Sequence, residues 1–157
     1  MSLGRRVVGW LIVIVGLLVP GLVATICWAP FLASKRLRSL FSRLPPFDSM
    51  GVTYVVVAIT ASLPYVLALV GVAATAGENA IWGPRILGVT LLLTVCYIVG
   101  IPLLGVFGLP RAGIDWDPTG YGISTWALLT AGAVWYAMLF AVPVTILGLV
   151  LSSPGGW

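Results

Sequence analysis

Histidine is absent from this 157-residue chain, and charged residues are scarce. Asp, Glu, Lys and Arg make up 8% of the sequence, whereas soluble domains are about a quarter charged. Without histidine, neither a Ser–His catalytic pair nor histidine ligation of haem is possible. Hydrophobic residues make up 61% of the chain. A soluble fold of this length could not bury so much apolar surface, so lipid must solvate much of it.

Sequence signatures of catalysis and cofactor binding are missing as well. There is no Gly-rich loop ending in Lys-Ser or Lys-Thr, no dinucleotide fingerprint and no Gly-x-Ser-x-Gly motif. Cys27 and Cys96 are too few for a metal site or a disulfide framework. The basic residues lie between apolar runs rather than on one basic face, which argues against nucleic-acid binding. We predict a protein that is not an enzyme and has no cofactor, no metal and no nucleic-acid partner.

Four long apolar runs are each long enough to cross a membrane, which takes about 20 residues. Backbone groups in lipid must be hydrogen-bonded within their own segment, so each run is predicted to be a helix. We expect an all-α integral membrane protein, a single domain over residues 1–157, with four transmembrane helices and short loops. The predicted spans are residues 7–33, 50–76, 86–109 and 124–151, and none contains Asp, Glu, Lys or Arg.

The first run has an alternative interpretation, because a basic start followed by apolar residues is also typical of a signal peptide. The run is longer than the usual apolar stretch of such a peptide, about 7–15 residues, and a basic cluster follows it. We therefore expect a retained span. Trp10 and Trp28, near its two ends, are predicted to lie in the aromatic belts of opposite membrane surfaces.

The loop between the first two spans contains a cluster of four cations: Lys35, Arg36, Arg38 and Arg43. Apolar residues in the same segment recur at intervals of three and four: Leu37, Leu40, Phe41 and Leu44. This spacing predicts a short interfacial amphipathic helix, with its apolar face at the acyl boundary and its cations anchored on anionic head groups. The simpler interpretation, which we favour, is a topology signal with snorkelling side chains.

Basic residues also predict an orientation. In a four-span chain, the first and third loops share one side, which carries five basic residues against three on the other. The positive-inside rule then places loop 34–49 in the cytoplasm and both termini outside.

The third loop contains Asp115, Trp116 and Asp117, the best loop candidate for a functional site. Two carboxylates two residues apart could help to bind a hard cation, but calcium takes six to eight oxygen ligands. We favour a solvated turn with an aromatic anchor, since Asp-Pro and Gly turns are common.

Small residues recur every four positions in the fourth span, at Ala133, Ala137 and Ala141. Such a stripe lets helix backbones approach closely, either within the chain or against a partner, and we favour packing within the chain. Hydroxyl side chains such as those of Tyr97 and Tyr136 are expected to hydrogen-bond between helices.

The predicted role is a non-catalytic structural or accessory component of a membrane or membrane complex. Its expected partners are anionic lipid head groups and another membrane protein or a second copy. In length and span count the chain resembles the small multi-span envelope proteins of pleomorphic archaeal viruses and, equally, small accessory subunits of membrane complexes. The alternative is a small oligomeric channel or transporter, although intramembrane charges that would couple transport are missing from the predicted spans.

Overall fold

A computed structural model describes residues 3–75 and 81–153, which form helices and short connections without a strand. Side chains are described from residue 12 onward within those ranges. The side chain of Trp10 therefore lies outside the described residues, as do most of the second loop and residues 154–157.

The helices follow one another as α1 (Leu3–Trp28), a 3₁₀ segment (Ala29–Ala33), α2 (Lys35–Arg43), α3 (Met50–Thr75), α4 (Trp82–Leu103), a π turn (Leu104–Gly108), α5 (Leu109–Arg111) and α6 (Ile123–Ser152). Within the described residues, four segments are long and apolar enough to cross a membrane: Ile12–Ala33, Met50–Thr75, Trp82–Arg111 and Ile123–Ser152. The predicted all-α fold with four spans and a short helix after the first is confirmed, and the chain is a multi-pass membrane protein.

The third span begins at Trp82, four residues before the predicted start at Ile86. Pro84 lies in its first turn, where the missing N–H would have no helical partner anyway. The N-terminal end of this helix lies against α6 without room for a side chain. A Cβ at Gly83 would lie 2.6 Å from the carbonyl oxygen of Gly148.

Helix α1 packs mainly on α3, and α4 packs mainly on α6. The first pair meets closely at Gly21, where a Cβ would lie 2.8 Å from Cα of Ile59. Tyrosine hydroxyls join the pairs as expected. Tyr136 on α6 donates a 2.5 Å hydrogen bond to the carbonyl of Ala58 on α3, and Tyr97 on α4 donates to the carbonyl of Ala61.

Helix α2 forms where the sequence predicts it, but its apolar face does not lie at the acyl boundary. Leu37, Leu40 and Phe41 are buried inside the protein. They pack there with Trp28, whose ring meets Phe41 edge to face at 5.6 Å and stacks on Tyr54 at 5.8 Å. The expectation that Trp28 belongs to an aromatic belt is also wrong, since it is only 8% exposed.

Candidate functional site

The third loop begins at a helix stop that directs the chain back over the bundle. Gly113 has a φ of +83°, a conformation that glycine adopts without strain. Its N–H bonds to the carbonyl of Pro110 at 3.0 Å, and the N–H of Ile114 bonds to that of Leu109 at 2.9 Å. These two bonds make a Schellman motif, which ends α5. Asp115, Trp116 and Asp117 follow immediately.

Trp116 is completely buried, and its indole N–H donates a 2.8 Å hydrogen bond to the carbonyl of Gly105. That carbonyl is available because of the π turn. The N–H of Leu109 bonds to the carbonyl of Leu104, and Pro110, the next residue, has no N–H to offer Gly105. The indole thus supplies the donor that the proline lacks, and it fixes the third loop on the end of α4.

Asp117 is buried too, at 3% exposed, and its carboxylate accepts hydrogen bonds from several neighbours. Oδ1 accepts from the backbone N–H of Thr119 at 3.0 Å and from its hydroxyl at 2.8 Å. Oδ2 accepts from the hydroxyl of Thr125 in the first turn of α6. Burial raises the pKa of Asp117, but these bonds and the charge of Arg36 outweigh it, so the pKa lies below its usual range. The carboxylate is therefore charged at neutral pH.

The polar face of α2 packs on this loop. Arg36 Nη1 donates to the hydroxyl of Ser124 at 2.7 Å and to that of Thr125 at 3.3 Å. Ser39 donates a 2.7 Å bond to the carbonyl of Trp116, and Arg43 donates to the carbonyl of Asp115. Thr125 thus connects Arg36 to Asp117, since its hydroxyl accepts from one and donates to the other. We refer to α2 and residues 112–125 together as the cap.

The structure therefore brings together two of the predicted sites that lie far apart in sequence. The expected solvated turn is wrong for Trp116 and Asp117, because the cap buries both, whereas Asp115 is exposed. The four cations of α2 divide into two groups. Arg36 donates to the first turn of α6 and the exposed Arg43 donates to the third loop, whereas Lys35 and Arg38, which are also exposed, make no such bond among the described residues.

The predicted alanine stripe lies inside the protein. Ala133 and Ala137 are fully buried, and Ala141 is 8% exposed. The stripe therefore packs within the chain, the use favoured from sequence.

Beneath the cap lies a cavity of about 370 Å³ between the two helix pairs. Apolar side chains form most of its wall, and the lining residues come from every helix of the bundle and from α2. They are Trp28, Leu37, Leu40, Phe41, Leu44, Val57, Ala61, Tyr97, Ile101, Leu104, Gly105, Leu109, Leu128, Leu129, Gly132 and Tyr136. A cavity of this size is within the range of small-molecule sites.

Trp28 is the unusual residue in that wall. Its Nε1 is buried without a hydrogen-bond partner among the residues that the structure describes. Nε1 lies 3.7 Å from the point where a Cβ at Gly132 would be, so the glycine leaves space beside it. From its position near the end of the first apolar run, Trp28 is predicted to lie at the membrane surface. No local pattern could have placed it in a cavity, because its aromatic neighbours there come from three other helices, α2, α3 and α6.

Residues 8–155 match a family described as a domain of unknown function (DUF8162), and the chain belongs to that family. Comparison with curated proteins and with solved structures gives no match.

Proposed function

We propose that this chain is a non-catalytic structural or accessory component of a membrane, with its cap at an anionic head-group surface. The observation that carries the proposal is that polar groups of the cap form hydrogen bonds within the chain itself. The carboxylate of Asp117 and the guanidinium groups of Arg36 and Arg43 bind other parts of the same chain. Such groups stabilise a fold rather than meet a substrate.

The exposed cations support the head-group surface as a partner. Lys35 and Arg38 lie on the outer side of α2 and are exposed. Juxtamembrane Lys and Arg each gain about 1 kcal/mol near an anionic leaflet. Since such leaflets face the cytoplasm, we propose that the cap is cytoplasmic and that both termini are outside, in agreement with the positive-inside rule.

The alternative of a channel or transporter for polar solutes finds less support. The cavity beneath the cap has an almost wholly apolar wall, which offers a hydrated ion few groups to replace its water. If the chain were such a channel, liposomes containing it would release ions or small polar solutes faster than empty liposomes do.

Native membranes provide the test of the accessory role. The tagged full chain, extracted in mild detergent, is expected to elute with a partner at fixed stoichiometry or as an oligomer. The double variant Lys35→Ala/Arg38→Ala should lose anionic lipids that native mass spectrometry detects on the wild-type chain, while its thermal stability stays unchanged. A monomer with no stoichiometric partner would contradict the accessory role. Unchanged lipid adducts in the double variant would contradict the head-group contact.

A further inference from the structure

We propose that the cavity beneath the cap is a lipid-binding site. It takes one hydrocarbon chain of a lipid from the surrounding membrane, and an oxygen at the polar end of that chain accepts a hydrogen bond from Trp28. This inference concerns a site inside the protein and does not rest on the accessory role.

The indole N–H of Trp28 indicates the polar part of the ligand. It can only donate, it is buried, and it has no partner among the described residues. Buried polar groups almost always have a partner, so an exception needs an explanation. Other donors in the cavity wall are already used within the protein. The hydroxyls of Tyr97 and Tyr136 donate to carbonyls of α3. Nε1 of Trp28 is therefore the side-chain donor of the wall without a partner among the described residues, and an oxygen must enter the space beside Gly132 to reach this buried atom.

The shape of the cavity indicates the apolar part. Along the third span its lining residues run from Tyr97 to Leu109, about 18 Å at 1.5 Å per residue. On α3 and α6 the lining covers shorter stretches, residues 57–61 and 128–136, and the volume of about 370 Å³ is in the range of sites that hold an apolar ligand such as part of one hydrocarbon chain. Most of the wall is apolar, as a hydrocarbon ligand requires.

The position of the cavity indicates a lipid as the source. Trp28 is the last residue of α1 and lies at the cap end of the first span, the end that faces the head groups in the orientation we propose. Leu104, which lines the cavity, is also 59% exposed on the outer surface of the bundle, so the wall reaches the hydrocarbon phase. The exposed Lys35 and Arg38 on the same end complement an anionic head group.

A photoreactive lipid tests the proposal on the full chain. The purified protein, depleted of lipid in detergent, is titrated with phosphatidylglycerol that carries a diazirine at the end of one ester-linked acyl chain. Labelling is quantified by intact mass spectrometry and mapped by peptide sequencing. We expect saturation at one lipid per chain, with adducts on cavity residues such as Ile101 and Leu128. Adducts mainly on the outward-facing Leu91 and Leu92 would overturn the proposal.

Two adjacent positions on α3 supply matched variants. Val57 lines the cavity, whereas Val56 is 38% exposed on the outer surface. Val57→Phe should abolish saturable labelling, and Val56→Phe should leave it unchanged. Equal labelling of the two variants would mean that the lipid binds only to the outer surface, which would overturn the proposal whether or not the accessory role holds.

Trp28→Phe tests the polar contact, because it keeps an aromatic ring and removes the N–H. It should raise the lipid concentration at half-saturation by about two- to tenfold, which is the effect of losing one hydrogen bond. Binding of a plain alkane, measured by competition, should change less. An unchanged affinity for the ester lipid would overturn the assignment of Trp28. Loss of labelling in Lys35→Ala/Arg38→Ala but not in Val57→Phe would show a head-group site alone and would also overturn the proposal.

Discussion

Replacing Trp116 by Phe is expected to destabilise the cap through one identifiable atom, the carbonyl oxygen of Gly105. The indole N–H supplies its hydrogen bond at 2.8 Å, and Pro110 cannot supply another. Interhelical hydrogen bonds in membrane proteins contribute about 0.6 kcal/mol on average and up to about 1.7 kcal/mol. Trp116 is fully buried, so the smaller ring also loses packing contacts. We expect a total loss of about 1–3 kcal/mol.

The double variant with Pro110→Ala separates the hydrogen bond from the packing. Alanine at 110 restores a backbone N–H within reach of the Gly105 carbonyl, so Trp116→Phe should cost less in that background. The coupling between the two changes should be about 0.5–1.5 kcal/mol. Unfolding of the purified chain in mixed detergent–SDS micelles, followed by near-UV circular dichroism, measures all four free energies.

Trp126→Phe is the matched control, since Trp126 is half-buried at the same end and packs on Phe107 at 5.7 Å. It should cost less than Trp116→Phe and show no coupling to Pro110→Ala. An identical cost of Trp116→Phe with and without Pro110 would refute the account of the π turn.

Three further outcomes are expected. The pKa of Asp117 is lowered in the folded protein, so its carboxylate adds to the free energy of unfolding above the unfolded pKa of about 3.9, and this contribution is lost as the pH falls through the folded pKa. Asp117→Asn should therefore flatten the acid side of a plot of thermal stability against pH. An unchanged acid side would contradict this. Gly83→Val should destabilise the bundle by more than about 2 kcal/mol in SDS unfolding, whereas Gly88→Val, at a position with nothing within 4 Å, should cost under about 1 kcal/mol. Single cysteines at the exposed Ser42 and Ser153, in a cysteine-free background, should react with an impermeant maleimide from opposite sides of the membrane; reaction from one side would contradict the four-span topology.

The spans and α2 could be predicted because both depend on local pattern. About 20 apolar residues without charge require a helix in lipid, and spacing of three and four marks one face of a helix. What covers an apolar face could not be predicted. In a membrane protein both lipid and protein are apolar, so the leucines of α2 have the same pattern whether they contact acyl chains or Trp28.

The candidate site depended even more on contacts distant in sequence. Arg36, Ser39 and Arg43 fall on one face of α2 by their spacing, and that face could be predicted. Its partner could not, because a polar loop usually faces water. Trp116 is buried because a carbonyl at position 105 lacks a donor, and that lack arises only when the helix before Pro110 adopts π geometry.

Both faces of α2 bear on access to the cavity. Leu37 and Leu40 line the cavity, while Arg36 and Ser39, each one position earlier, bind α6 and the third loop. In a helix of nine residues, a shift that withdrew the leucines would also break these hydrogen bonds. Opening the cavity toward water through the cap would therefore cost several hydrogen bonds, whereas the apolar side chain of Leu104 already brings the cavity wall to the outer surface of the bundle. If the cavity exchanges its ligand, the easier route is sideways from the hydrocarbon phase, as expected for a ligand that never leaves the membrane.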